Sequence, residues 1–451
     1  MLRVTLNNIP PSTEYIKLTF GHNVAGYFNI PAMVEVGESV IAYANAAGSN
    51  SKTIKITDLG LTTEWMDGQD INIPIPTGTY ATNSVTVAAY DDEDNIILTM
   101  TRPLRLAGDW TASRKSARKI VASLPAFSIS DDKRVVIAGS NLQATTTSNT
   151  WATYSWSFME YPWSKVETSD VTENYSGLST ISLFGWGTSG YDYTSADGTW
   201  TNYMPYSTSN STDPAATMNP LHYGPIYGGT NMDLINANGI DYSRGDWGVN
   251  ASTTSKWGDT ELSGYSASNS DAERTNGTYA WRVLTKEEWL YLFGMKANES
   301  SIWGHRRFEH FGRATVNGVA GIVLIPDKFC DPKTNSSESS PNTPSFDRGQ
   351  GTLYTSNVYS STSWNSMALA GAVFLPASGK RNGTAISEVG SEGNYWSSSA
   401  YKNEPYVADD ADGALKLRFI DTYSYGTQTR VWPSNAATRK WGLSVRLVRE
   451  L

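Results

Sequence analysis

The sequence predicts a β-rich chain: an all-β sandwich over residues 1–125, followed by a larger α+β region with many loops over 126–451. Three observations predict it. Charged residues are only 18% of the chain, with 38 Gly and 19 Pro and no long helical blocks rich in Ala, Glu, Lys and Leu. Short alternating runs recur through the first 125 residues at the spacing of a sandwich. Of the 16 Trp, only Trp65 and Trp110 precede residue 126, and this shift in composition marks the boundary.

In chain order, the first region reads as the strands "LRVTLNNI", "YIKLTF", "SVIAYANA", "KTIKITDL", "DINIPIPTGTY", "SVTVAAYD" and "NIILTMT", separated by Pro, Gly, Asn and Asp turns. The acidic run "DDEDN" (91–95) joins two of them as a hairpin loop, and its oxygens lack the spacing of a calcium loop. Arg114, Lys115, Arg118 and Lys119 read as charges that keep an edge strand solvated, with a partner site as the alternative.

The second region is sharper. In "WRVLTKEEWLYLF" (281–293), Thr285 and Glu288 form a capping box and Leu284 and Trp289 a hydrophobic staple, so a short helix starts near 286 and buries Trp289, Leu290, Leu292 and Phe293. "GVAGIVLIPD" (318–327) and "GAVFLPASGKR" (371–381) are apolar runs ended by Pro, as buried strands are, with a second helix at 364–370. "GNYWSSSAY" (393–401) and "GLSVRLVRE" (442–450) are patterned core strands: Trp396, Leu443, Val445 and Leu447 point inward, and Gly442 permits close approach or positive φ. Between them, "RFIDTYSYGTQTRVWPSNAATR" (418–439) sustains no helix or strand period and reads as irregular loop.

Several function classes are excluded or unsupported. A net charge of −9 argues against binding a phosphate backbone, so nucleic acid is not an expected partner. A lone Cys330 excludes an internal disulfide framework and a thiolate-caged zinc. No apolar run is long enough to span a bilayer, and no export signal opens the sequence. This leaves a cytosolic protein or an exported one without its leader. His305 and His310 are flanked by Arg306 and Arg307, which repel a cation, and His22 and His222 lie alone. "GWGTSG" (185–190) lacks the lysine and following helix of a phosphate loop, and no nucleophile elbow appears. The acidic turn "ADDADG" (408–413), with Asp409, Asp410 and Asp412, reads as solvated. No catalytic residue, metal ligand or cofactor is expected.

Two resemblances add to this reading. "IPIPTGTY" (73–80), the strand layout and "LRLAGDWTASRKSARKIVASLP" (104–125) make the first region similar to the fimbrillin-like pilin domains of Bacteroidales surface fibres. That resemblance implies an exported β-sandwich that assembles with other pilin subunits by strand exchange. "SISDDKRVVIAGSNLQ", "LFGWGTSGY", "WRVLTKEEWLYLF", "VNGVAGIVLIPD", "GAVFLPASGKR", "GNYWSSSAY" and "GLSVRLVRE" follow in the order of a domain widespread in Bacteroidales surface proteins. This domain is related to the formylglycine-generating-enzyme branch of the C-type lectin fold, which the variable proteins of diversity-generating retroelements also use. The enzymes of that branch need a pair of copper-binding cysteines, and one Cys does not supply it. Nor does the chain carry the Glu-Pro-Asn or Gln-Pro-Asp loop of calcium-dependent sugar lectins; "NEPY" (403–406) is only an echo.

The resemblance implies a cell-surface or fimbrial adhesin, not an enzyme, whose C-terminal face meets a protein or glycan on a host or bacterial surface. The candidate ligand-binding residues are Tyr401, Asn403, Tyr406, Tyr423, Tyr425, Arg430, Trp432, Asn435, Arg439, Lys440 and Trp441. Tyr and Trp offer large contact area with few torsions to freeze, and Asn and Arg adapt their hydrogen bonds to the target. Packing inside the domain is the competing role for each. A structural fibre subunit and a formylglycine-type oxidase are the alternative functions.

Overall fold

A computed structural model describes residues 2–21, 52–57, 64–73, 84–103, 118–146, 154–171, 177–185, 281–294, 310–329, 357–400, 413–420, 430–438 and 441–451, with short strand pieces at 28–29, 40–41, 43–44, 78–80 and 110–112. These residues are mostly strand, with two helices among them.

The first region forms two four-stranded sheets. One runs in the order Arg118–Ser123, Leu2–Asn7, Gln69–Ile73, Val40–Ile41, and the other Ile96–Pro103, Ser84–Tyr90, Tyr15–Phe20, Thr53–Ile56. Strict alternation is the cause: Leu2, Val4 and Leu6 on one sheet and Ile16, Leu18, Ile54 and Val87 on the other are buried in one shared core. Each such side chain contributes about 1.5–3 kcal/mol by leaving water. The first and last of these strands lie side by side and parallel, from Leu2 opposite Arg118 to Asn7 opposite Ser123. Arg118–Ser123 is an edge, and its Lys119 is exposed, as a solvated edge requires. Residues 91–95 form the expected hairpin loop. One Asp91 carboxylate oxygen accepts the N–H groups of Glu93 and Asn95, a self-contained Asx turn.

In the second region, α1 (Lys286–Leu292) starts where the capping box places it. Thr285 Oγ1 accepts the Glu288 N–H at 3.2 Å and Glu288 accepts the Thr285 N–H at 2.8 Å. Leu284 and Trp289 join the same buried cluster, as a staple does. The second helix, α2 (Ser361–Leu369), begins three residues before the apolar stretch that signalled it, because Ser360 caps it by accepting the Ser363 N–H. Both apolar runs are strands of one sheet, in which Val319–Leu324 lies between Phe311–Val316 and Val373–Pro376. Asn317 and Gly318, with φ of 49° and 77°, make the tight turn between the first two. A Cβ on Gly321 would lie 2.3 Å from the Leu375 carbonyl oxygen, so only glycine lets these strands pack.

The tail differs from its sequence reading. Most of 418–439 is not irregular: Gly413–Ile420 and Arg430–Thr438 are antiparallel strands that complete a three-stranded sheet with Glu392–Ala400. Lys416 pairs with Asn435 but Arg418 with Trp432, so Leu417 faces both Pro433 and Ser434. This bulge adds one residue and breaks the two-residue period, which hides the strand in the sequence. Pro433, with no N–H to give, sits at the break.

The two regions are joined by a polar seam. Asn8 donates to the Leu124 carbonyl and to the Asp327 carbonyl, and its own amide oxygen accepts from Arg134 at 2.7 Å. Asp327 in turn accepts the Ser128 N–H and lies 3.7 Å from the Arg134 guanidinium. Arg449 donates to the Ile97 carbonyl.

Gly321→Ala is expected to destabilise by about 1–3 kcal/mol, since the obstacle is backbone of the next strand. Thr285→Ala should cost ~1 kcal/mol through loss of the cap. Thermal melts of both variants check the size and order of these effects.

Candidate functional site

The tail sheet has two unlike faces. Tyr395, Leu417, Phe419 and Val431 pack with Trp289 and Leu292 of α1 in one buried cluster. The opposite face carries Glu392, Asn394, Trp396, Lys416, Arg418, Trp432 and Asn435, as the cross-strand pairs show. At one end of that face Trp396, Ala414 and Ala437 close against Leu443 and Val445. The Trp396 indole donates to the Phe184 carbonyl at 2.7 Å, which fixes it. The expected core residues Trp396, Leu443, Val445 and Leu447 are all buried.

Gly442 sits beside Arg381. Their backbones exchange two hydrogen bonds of 2.9 Å, and a Cβ on Gly442 would lie 2.7 Å from Arg381 Nε. Close approach, rather than a positive φ, is what this glycine supplies.

The rest of the face is a network of charges and aromatic rings. Arg418 makes a bidentate pair with Glu392, both bonds 2.7 Å, and its guanidinium lies 5.1 Å from the centre of the Trp432 ring. Burial pushes the Glu392 carboxyl up, but the hydrogen bonds and charge of Arg418 outweigh it and hold the group below the usual carboxylate range. Glu392 in return raises the Arg418 guanidinium further. Two strand positions away, Lys416 is only 2% exposed and donates to the Asn394 amide oxygen. Its ammonium lies 5.2 Å from the Trp441 ring, and that of Lys380 lies 4.7 Å from the same ring while pairing with Glu388 at 2.7 Å. Burial pulls the Lys416 pKa down to about 7, against the opposing pull of Glu392.

Of the candidate ligand residues, the structure brings Trp432, Asn435 and Trp441 together around Lys416 and Arg418. All three are half-buried, so each packs on its neighbours and still reaches solvent. Arg430 opens its strand opposite Ile420, and its side chain lies outside the described residues. Tyr401, Asn403, Tyr406, Tyr423, Tyr425, Arg439 and Lys440 lie outside them too, as do Asp409, Asp410, Asp412, His305 and Cys330. His310 is described and partly exposed, with Nδ1 3.9 Å from Asp327.

Sequence reasoning missed Glu392, Asn394, Lys380, Lys416 and Arg418. The signal for two of them was present. In "ALKLRFI" (414–420) Lys416 and Arg418 alternate with Leu415, Leu417 and Phe419, which puts both cations on one face of a strand.

The network has a pH signature. Folded Lys416 gives up its proton near pH 7, whereas the unfolded chain keeps it to the ordinary lysine value of 10.5. Between these values the unfolded state holds more protons, so this group makes stability rise with pH across the window. Lys416→Met should therefore raise Tm more at about pH 6 than at about pH 10; calorimetry at both values checks it.

No family model, no curated protein and no solved structure matches this chain.

Proposed function

We propose that the protein is a cell-surface or fimbrial adhesin that binds a protein or glycan through the polar face of its tail sheet. In this reading the first region is a fimbrillin-like sandwich serving attachment or fibre assembly, and the second a C-type-lectin-like binding domain without catalytic function. One observation carries the reading: Trp432, Asn435 and Trp441 emerge on a face whose backbone is held by a bidentate ion pair on one side and by the α1 core on the other.

Ligand contact favours amphipathic rings that are already immobilised. Trp and Tyr lose little entropy on binding, and a cation against the ring removes still more of their freedom before the ligand arrives. The charges beneath Trp432 and Trp441 are largely spent on each other, with Arg418 on Glu392 and Lys380 on Glu388. The face therefore presents aromatic area and an amide more than a strong field, which suits a neutral or weakly polar target.

The test is a Trp432→Ala, Asn435→Ala double variant of the full chain, screened beside the parent on glycan arrays and on intact bacterial and host cells. The expected result is a loss of about tenfold or more in binding with Tm within about 2–4 °C of the parent, since both side chains are partly exposed. Binding unchanged by the double variant would place the ligand away from this face, and binding absent in the parent would favour a structural fibre subunit.

A further inference from the structure

A second recess lies well apart in composition from the tail face. It opens where Pro125, the Arg134–Ile137 strand, the loop 159–163 and α2 meet, and it encloses about 460 Å³. That volume is within the ~300–1,000 Å³ typical of small-molecule sites.

Its lining is specific. Tyr161 is 45% exposed, unusual for so large a ring, and stacks on the half-buried Trp163 with centroids 5.1 Å apart and planes 15° from parallel. Held by this stack, the exposed Tyr161 ring serves as an aromatic platform on the recess. Trp364 also lines the recess. It is 1% exposed, yet its indole N–H has no hydrogen-bond partner, which is costly for a buried donor. Asn365 and Ala368, on the exposed side of α2, form the opposite wall. Glu160 is the one side chain charged at neutral pH among the described lining residues.

We propose that this recess binds a neutral oligosaccharide. A pyranose ring has an apolar face, which suits the Tyr161 platform, and an equatorial fringe of hydroxyls, which suits a carboxylate acceptor and an amide. A purely apolar ligand would leave Glu160 and Asn365 unpaired, and an acidic saccharide would meet the charge of Glu160 on a protein of net charge −9. The inference does not depend on the tail face, since none of its residues is shared.

The experiment titrates the full chain with a panel of neutral oligosaccharides built from glucose, galactose, mannose or N-acetylglucosamine, and with uronic-acid oligosaccharides of equal length, by calorimetry. Tyr161→Ala removes the platform. Ala368→Trp, at an exposed helix position, fills the recess without removing any core contact. Expected are binding of at least one neutral oligosaccharide and a loss of about tenfold or more in both variants. Three results would overturn the proposal: no neutral oligosaccharide bound at millimolar concentration, a preference for uronic acids, or binding that survives both variants. In the last case, loss of that binding in the Trp432→Ala, Asn435→Ala double variant would place the sugar on the tail face instead.

Discussion

The end of the chain is what the second region is built around. Leu447–Glu450 is a central strand, hydrogen-bonded to Arg134–Ile137 on one side and to Trp281–Val283 on the other. Three segments separated by more than a hundred residues are joined by these two pairings. Arg446, just before it, is fully buried and gives its guanidinium to the carbonyls of Ala138 at 2.8 Å and Phe374 at 2.7 Å. Burial lowers its pKa to about 10, which still leaves it charged at neutral pH. Removing either kind of contact would leave a buried cation or a buried strand edge without partners, and both are expensive in a low-dielectric interior.

From that anchor the tail sheet acquires its two faces. The chain enters the central strand through Leu443 and Val445, whose burial beside Trp396 fixes one end of the tail sheet. α1 covers the apolar side, so the charged and aromatic residues have a single direction left to take. Arg418 and Glu392 neutralise each other there, whereas Lys416 is held by the Asn394 amide near the Trp441 ring and shifts towards neutrality. The same burial that makes this lysine costly also holds the Trp441 ring near it, so rigidity and electrostatic cost have one origin.

The polar seam gives the sandwich and the second region a defined relation. Asn8 adopts a left-handed φ of 58°, and its side chain joins Leu124, Arg134 and Asp327. A short polar residue tolerates that conformation better than a bulky one. The recess beside Pro125 is lined, apart from that proline, by residues of the second region.

The local signals in the sequence determined the local structure. The strands of the sandwich follow from two-residue alternation, α1 from Thr285 and Glu288, and the buried tail positions Trp396, Leu443, Val445 and Leu447 from an apolar pattern, because each depends on neighbours within a few residues. The strand Arg430–Thr438 was not legible, since a bulge at Pro433 and Ser434 shifts the register and erases the period by which strands are read. Nor was the grouping of Trp432, Asn435 and Trp441 around Lys416 and Arg418, or the meeting of Tyr161, Trp163 and Trp364. Those groupings bring together segments tens to hundreds of positions apart, 416–418 with 432–441 and 161–163 with 364. Only the tertiary structure decided them, because cross-strand register and the packing of one element on another are set by long-range burial rather than by local propensity.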